Sequence, residues 1–279
     1  MSLLGASEIR ALAEKLELKP AKSLGQNFVI DGNVCRKIVR IAEVRSSDIA
    51  LEIGPGLGSL TLALLEEAAQ VVAVEIDSRL AAQLPITAMA HSQRAEYLTV
   101  INQDALKISD FAHQPTVLVA NLPYNVSVPV FLHLLEILPT LRTGVVMVQA
   151  EVAERLAAKP NTKEYGIPTV KASWWAEVIG AGSVSRSIFW PAPNVDSKLV
   201  AFKRRATPGD ENLRREVFKI IDLAFAQRRK MLRAALSSRY GGSTAAEAHL
   251  AAAGIDPTLR GESLDIAAFC KIAQQGLES

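Results

Sequence analysis

The chain of 279 residues has little cysteine, few aromatics and no long apolar run. Its two cysteines, Cys35 and Cys270, stand near opposite ends. They exclude a disulfide framework and a multi-thiolate metal site, and they fit a reducing compartment. The four histidines, His91, His113, His133 and His249, are scattered and match neither a metal-ligand spacing nor a nucleophile triad, so no metal is expected. No stretch approaches the ~20 consecutive apolar residues of a membrane span. The opening segment MSLLGASEIR carries an acid early and lacks an apolar core, so no secretory leader is expected and a cytoplasmic location is.

What is present describes a globular protein: 49% hydrophobic and 22% charged residues, enough for one large domain or two unequal ones. The net charge of +2 hides an asymmetry. Residues 41–150 hold 5 basic and 11 acidic groups, whereas residues 203–239 hold 11 and 4. The densest basic stretch is Gln227-Arg228-Arg229-Lys230-Met231-Leu232-Arg233. Such a run is either a solvated helix face or a phosphate-binding surface.

Hydrophobic spacing divides the chain. Asp31 can cap a helix running through Val34, Ile38 and Val39. From Ile49 onward, short apolar runs at 49–53, 71–74, 98–101, 117–119 and 145–148 alternate with helical stretches. That pattern implies a mainly parallel sheet with helices on both faces. After Thr207-Pro208-Gly209-Asp210 the pattern is helical throughout, and about three short helices are expected. The expected domains are therefore residues 1–205, an α/β unit with an N-terminal helical extension, and residues 206–279, a small all-helical unit.

Two motifs fall at the carboxyl ends of expected strands, where open α/β sheets bind ligands. In Glu52-Ile53-Gly54-Pro55-Gly56-Leu57-Gly58-Ser59 the glycines permit a tight turn and close approach to a ligand, and Glu75 follows Gly54 by 21 residues. A carboxylate there can accept both hydroxyls of a ribose. A dinucleotide fingerprint would place its third glycine at position 59, which is serine, and Glu52 adds negative charge beside the turn. S-adenosylmethionine is favoured over a dinucleotide on those grounds. The second motif is Asn121-Leu122-Pro123-Tyr124. An exocyclic amine on adenine is a poor nucleophile because its lone pair is conjugated with the ring. Acceptors for its two hydrogens, the Asn121 amide oxygen and a backbone carbonyl near Leu122, would aim that lone pair. Pro123 stiffens the backbone, and Tyr124 offers a face for stacking. A turn with a buried tyrosine is the structural alternative.

These motifs, with Lys22-Ser23-Leu24-Gly25-Gln26-Asn27-Phe28, Gln103-Asp104-Ala105-Leu106, Gln149-Ala150-Glu151-Val152, Phe189-Trp190-Pro191-Ala192-Pro193-Asn194-Val195-Asp196-Ser197 and Arg228-Arg229-Lys230-Met231-Leu232-Arg233, stand in an order that resembles the ribosomal RNA adenine N6-dimethyltransferases. The resemblance spans roughly residues 20–236. It implies a Rossmann-like S-adenosylmethionine-dependent methyltransferase with a helical C-terminal domain that docks on RNA or the ribosome. It further implies dimethylation of two adjacent adenines in the 3'-terminal hairpin of 16S rRNA, coupled to biogenesis of the small subunit. Asn27 and the Val29 backbone would meet the methionine end of the cofactor beside Gly54. Glu75 would hold the ribose, Asp104 the cofactor's adenine amine with Ala105 beside the ring, and Asn121 the transfer centre. Phe189 would face Tyr124 as a second aromatic wall around the target base. Lys22, Arg228, Arg229, Lys230 and Arg233 would meet RNA. The partner expected is 16S rRNA or an immature small subunit, bound by a monomer with no membrane involved.

The chain departs from the family at Val29, where leucine is common, at Lys198, where a small residue is common, and at Gly261-Glu262-Ser263, which replaces Arg-Pro-Glu. Three other functions fit parts of the pattern. They are a large-subunit adenine methyltransferase of the antibiotic-resistance type, a ribosome-assembly factor with secondary catalysis, and a dinucleotide-dependent oxidoreductase.

Overall fold

A computed structural model describes residues 3–18 and 27–277. In chain order the first elements are α1 (Ala6–Lys15), β1 (Phe28–Val29), α2 (Gly32–Ile41), β2 (Ile49–Ile53), α3 (Ser59–Glu67), β3 (Gln70–Glu75), α4 (Ser78–His91), β4 (Leu98–Asn102), β5 (Val117–Asn121), α5 (Ser127–Ile137) and β6 (Thr143–Gln149). There follow α6 (Ala150–Leu156), α7 (Ile167–Ala172), β7 (Ala176–Val184), β8 (Phe189–Trp190), β9 (Ser197–Arg204), α8 (Glu211–Ala226), α9 (Leu232–Ala235), α10 (Ser237–Tyr240), α11 (Ser243–Ala252) and α12 (Ile266–Leu277). Among the described residues no helix is long and apolar enough to cross a membrane.

Seven strands form one sheet in the order β4-β3-β2-β5-β6-β9-β7. From β4 through β6 neighbours are parallel, and β9 returns antiparallel to β6. The five strands expected from hydropathy are the parallel ones. The inner strands are apolar at nearly every position because both faces are covered, with Val117, Leu118, Val119 and Val145 to Val148 all fully buried, whereas the edge strand β4 is only partly buried. Sequence reading missed β7, whose residues are mostly exposed and include Gly180 and Gly182, and the β1–β8 ladder, which pairs only Phe28 with Trp190 and Val29 with Phe189. Asp31 caps α2 as expected, accepting from Asn33 N at 2.9 Å and Val34 N at 3.2 Å.

The chain divides into two compact units, Met1–Ala153 with Val178–Arg204, and Glu154–Glu177 with Arg205–Ser279. The second unit thus takes up residues 154–177, a stretch that the expected cut at 205 leaves with the sheet. Its attachment comes from aromatics rather than composition: the rings of Trp174 and Trp175 stand edge-on to Phe218 of α8, at centroid distances of 6.3 and 5.4 Å. The helices after 205 number five among the described residues, α8 to α12, rather than three.

Sheet order has one consequence for function. The chain runs outward from β2 through β3 to β4, then returns to the other side of β2 with β5. The reversal opens a crevice beyond the carboxyl ends of β2 and β5, the position at which doubly wound sheets bind ligands.

Candidate active site

The crevice is a cleft of about 930 Å³ including its open mouth, large enough for a nucleoside-sized cofactor. Its floor is the turn between β2 and α3. Gly54 has φ +68° and Gly56 φ +58°, left-handed values that favour glycine. A Cβ at Gly54 would find no protein atom nearer than 3.8 Å, so the missing side chain leaves open space, whereas one at Gly56 would meet the Phe28 ring at 2.9 Å. Phe28 is therefore seated directly on the turn and is held from its other side by Trp190, stacked at 6.4 Å.

Glu75 ends β3 at the opposite wall and is 5% exposed. Its Oε2 accepts from Gly56 N at 3.2 Å and its Oε1 from Asp77 N at 2.9 Å. Burial pushes its pKa upward, and these two backbone donors hold it down in part. Each oxygen keeps a lone pair for a further donor. Asp104, beyond β4, uses Oδ1 to accept from Leu106 N at 3.0 Å. Asn27, Val29, Gly54, Glu75, Asp104, Ala105, Asn121 and Pro123 all line the cleft. The structure thus brings together the cofactor-side residues that the sequence singled out.

Asn121 closes β5. Its Nδ2 donates to Asn27 O at 3.1 Å, which fixes the amide orientation, and its Oδ1 has no partner among the described residues. Leu122 is 1% exposed, and its backbone N donates to Met147 O at 3.0 Å. The Leu122 carbonyl accepts no hydrogen bond from the described residues, whereas the next two carbonyls do: Pro123 O from Val126 N at 3.2 Å and Tyr124 O from Ser127 Oγ at 3.4 Å. Asn121 Oδ1, on a residue that lines the cleft, and Leu122 O, on the next residue and outside that lining, are thus consecutive acceptors without a partner among the described residues. Tyr124 is half-buried, with its hydroxyl 2.7 Å from Ser197 Oγ.

The surroundings of several expected residues differ from the linear reading. Phe189 is 3% exposed and belongs to a buried cluster with Val29, Ile188 and Leu199, and neither it nor Leu122 nor Tyr124 is among the residues that line the cleft. Glu52 does not deliver the negative charge that its position beside the turn suggests. It is 1% exposed and accepts from Thr61 Oγ1 at 2.6 Å, and burial together with the nearby Glu75 pushes its pKa up to about 8. Of the basic run, Arg228 pairs with Glu262 at 2.7 Å and donates to Lys163 O at 2.8 Å, and Arg233 pairs with Glu247 at 2.9 Å. Arg229 and Lys230 are exposed. Lys22 and residues 23–26 of its motif lie outside the described residues. Sequence reasoning assigned no bonding role to Ser59, whose hydroxyl donates to Val29 O at 2.5 Å and ties β1 to α3, or to Ser197, both of them buried small residues with no periodic signal.

The site fits an adenosyl cofactor. A carboxylate with spare lone pairs stands where a ribose would lie, and the bare Gly54 leaves space beside it. The strand order, the glycine turn and the carboxylate after the second strand define the class: this is an S-adenosylmethionine-dependent methyltransferase of Rossmann-like α/β fold. A family model described as "Ribosomal RNA adenine dimethylase" matches residues 18–275, and the chain belongs to that family. It is 57% identical to a protein of Leifsonia xyli and 56% identical to one of Thermobifida fusca, both named Ribosomal RNA small subunit methyltransferase A. The alignments cover 98% of this chain and 98% and 96% of the relatives. Among solved structures it is similar to a dimethyladenosine transferase from Plasmodium falciparum (TM-score 0.76, 26% identity, 89% of this chain and 98% of that one). It is also similar to the 23S rRNA methyltransferase ErmE (TM-score 0.67, 28% identity, 89% and 99%).

Proposed function

We propose that the protein methylates N6 of two adjacent adenines in the 3'-terminal hairpin of 16S rRNA, twice each, during maturation of the small ribosomal subunit. S-adenosylmethionine, when bound, supplies the electrophilic methyl group. Glu75 accepts the ribose hydroxyls, Asp104 reads the cofactor's adenine amine beside Ala105, and Asn27, Val29 and Gly54 border the methionine end. The observation that carries the reading is the pair of unused acceptors, Asn121 Oδ1 and Leu122 O. Each takes one hydrogen of the target amine, draws the nitrogen toward tetrahedral geometry and turns its lone pair to the methyl group, so that catalysis is chiefly placement. No general base is needed, because the alkylated amine is acidic and gives its proton to solvent. Tyr124 stacks on the target base, which must leave its own stack to enter. Arg229 and Lys230 meet RNA phosphates from the helical unit. The identity with small-subunit relatives supports 16S rRNA over large-subunit RNA as substrate, and a monomer acting on rRNA in a partly assembled particle in the cytoplasm fits the family.

Incubation of the protein and methyl-labelled cofactor with small and large subunits from cells lacking both modifications tests this. Label in 16S rRNA, recovered as N6,N6-dimethyladenosine, is the expected result. Label confined to 23S rRNA would move the function to the large subunit.

A further inference from the structure

The hydroxyl of Tyr124 is bonded 2.7 Å from Ser197 Oγ, and the Ser197 hydroxyl has no other partner among the described residues. Ser197 is 1% exposed and opens β9, opposite Gln149 of β6, where Ala150 N donates to Asp196 O at 2.8 Å. Tyr124 lies three residues past the end of β5, the strand on the other side of β6. The bond therefore spans β6 at the ligand edge of the sheet and ties a loop residue to a rigid strand. A tyrosine on such a loop has two side-chain torsions to fix. Stacking against one face of a base requires both, since a ring that swings presents its edge. Phe189, 3% exposed and packed in the core cluster, offers no second face to the base.

We propose that Ser197 is a positioning residue for methyl transfer: its hydroxyl holds the Tyr124 ring at the pitch on which the target adenine stacks. The inference rests on the adenine-methylation reading and adds to it a residue that touches neither cofactor nor base. Ser197 is also an economical choice for the task. It is small enough to be buried at the head of a strand, and its single hydroxyl suits the single phenol that reaches it.

The test compares wild type, Ser197→Ala, Tyr124→Phe, the double variant and Ser197→Thr. The measurements are kcat and KM on unmethylated small-subunit substrate, S-adenosylhomocysteine affinity by calorimetry, and thermal unfolding. Loss of one hydrogen bond predicts a drop in kcat of about tenfold in either single variant. The double variant should be no worse than either single, cofactor affinity should stay within about twofold, and Ser197→Thr should recover most of the rate. Additive losses, or a loss of cofactor affinity equal to the loss of kcat, would reduce Ser197 to a generally structural role and overturn the proposal. Should Ser197→Ala fail to fold, Tyr124→Phe removes the same bond while keeping the ring, and an unchanged kcat there overturns it as well. A wild-type protein inert toward adenine would instead sink the functional reading and this inference with it, whereas an active wild type with equally active variants sinks this inference alone.

Discussion

Glu52 shows how far a side chain's surroundings can change its role. Read linearly it is an anion one residue before Ile53; in the fold it faces Thr61 from α3, Glu75 from β3 and Cys35 from α2, with no cation beside it among the described residues. A carboxyl in that position keeps its proton at neutral pH, and its pKa rises from 4.5 to about 8. The sign follows from linkage. The folded state holds the proton more tightly than the unfolded one, so the stabilisation is complete below the ordinary carboxylate range and is lost as pH rises from there through about 8. Glu52→Gln, neutral throughout, escapes that loss. Its stability relative to wild type should climb between pH 5 and pH 8 by up to about 1.4 kcal/mol per pH unit, read from urea midpoints. Parallel stability curves across that window would mean that Glu52 is ionised in the fold.

Among elements, the β2–α3 turn and β1 act as one device. The turn needs left-handed backbone at Gly56, and Phe28 of β1 occupies the space that a Cβ there would require. Gly56→Ala should cost about 1–3 kcal/mol of stability through backbone strain alone, with a further loss of S-adenosylhomocysteine affinity as Phe28 is displaced. Unaltered unfolding and binding would show the turn to be tolerant. Half of this device was legible in the sequence. The glycine spacing marked the turn and the strand patterns placed it, because buried parallel strands are apolar runs and glycine punctuates them. The Phe28 seat was not legible, since it depends on a two-residue ladder between β1 and β8 whose partners are 162 positions apart (Phe28 with Trp190). The burial of Phe189 was not legible either, since a motif match names a residue without saying which way its ring faces. Asn121 was legible because it directly follows an apolar run, whereas the Tyr124–Ser197 bond was not, because nothing local relates residues on β9 to a loop after β5.

At the scale of the whole molecule, residues 41–150 are acidic and residues 203–239 basic, a division that the near-zero net charge conceals and that the proposed function assigns to cofactor chemistry and RNA binding. The basic run is itself divided. Arg228 braces the 162–163 backbone and Arg233 pairs with Glu247, whereas Arg229 and Lys230, the pair proposed to meet phosphates, are exposed. Reversing the charge of Arg229 and Lys230 should weaken RNA binding and flatten its dependence on salt by about 0.7–0.9 in log-log slope per lost contact. Arg228→Ala should instead lower the stability of the helical unit. An unaltered slope in the double reversal would return the exposed pair to the role of a solvated face. The proposed chemistry centres on two consecutive acceptors, Asn121 Oδ1 and Leu122 O, that prepare an adenine amine for attack. Single-turnover methyl transfer by Asn121→Ala, at saturating cofactor and with RNA binding measured in parallel, tests it most directly. The account predicts a rate lower by about a hundredfold or more with RNA affinity largely intact; a rate near that of the unaltered protein would contradict it.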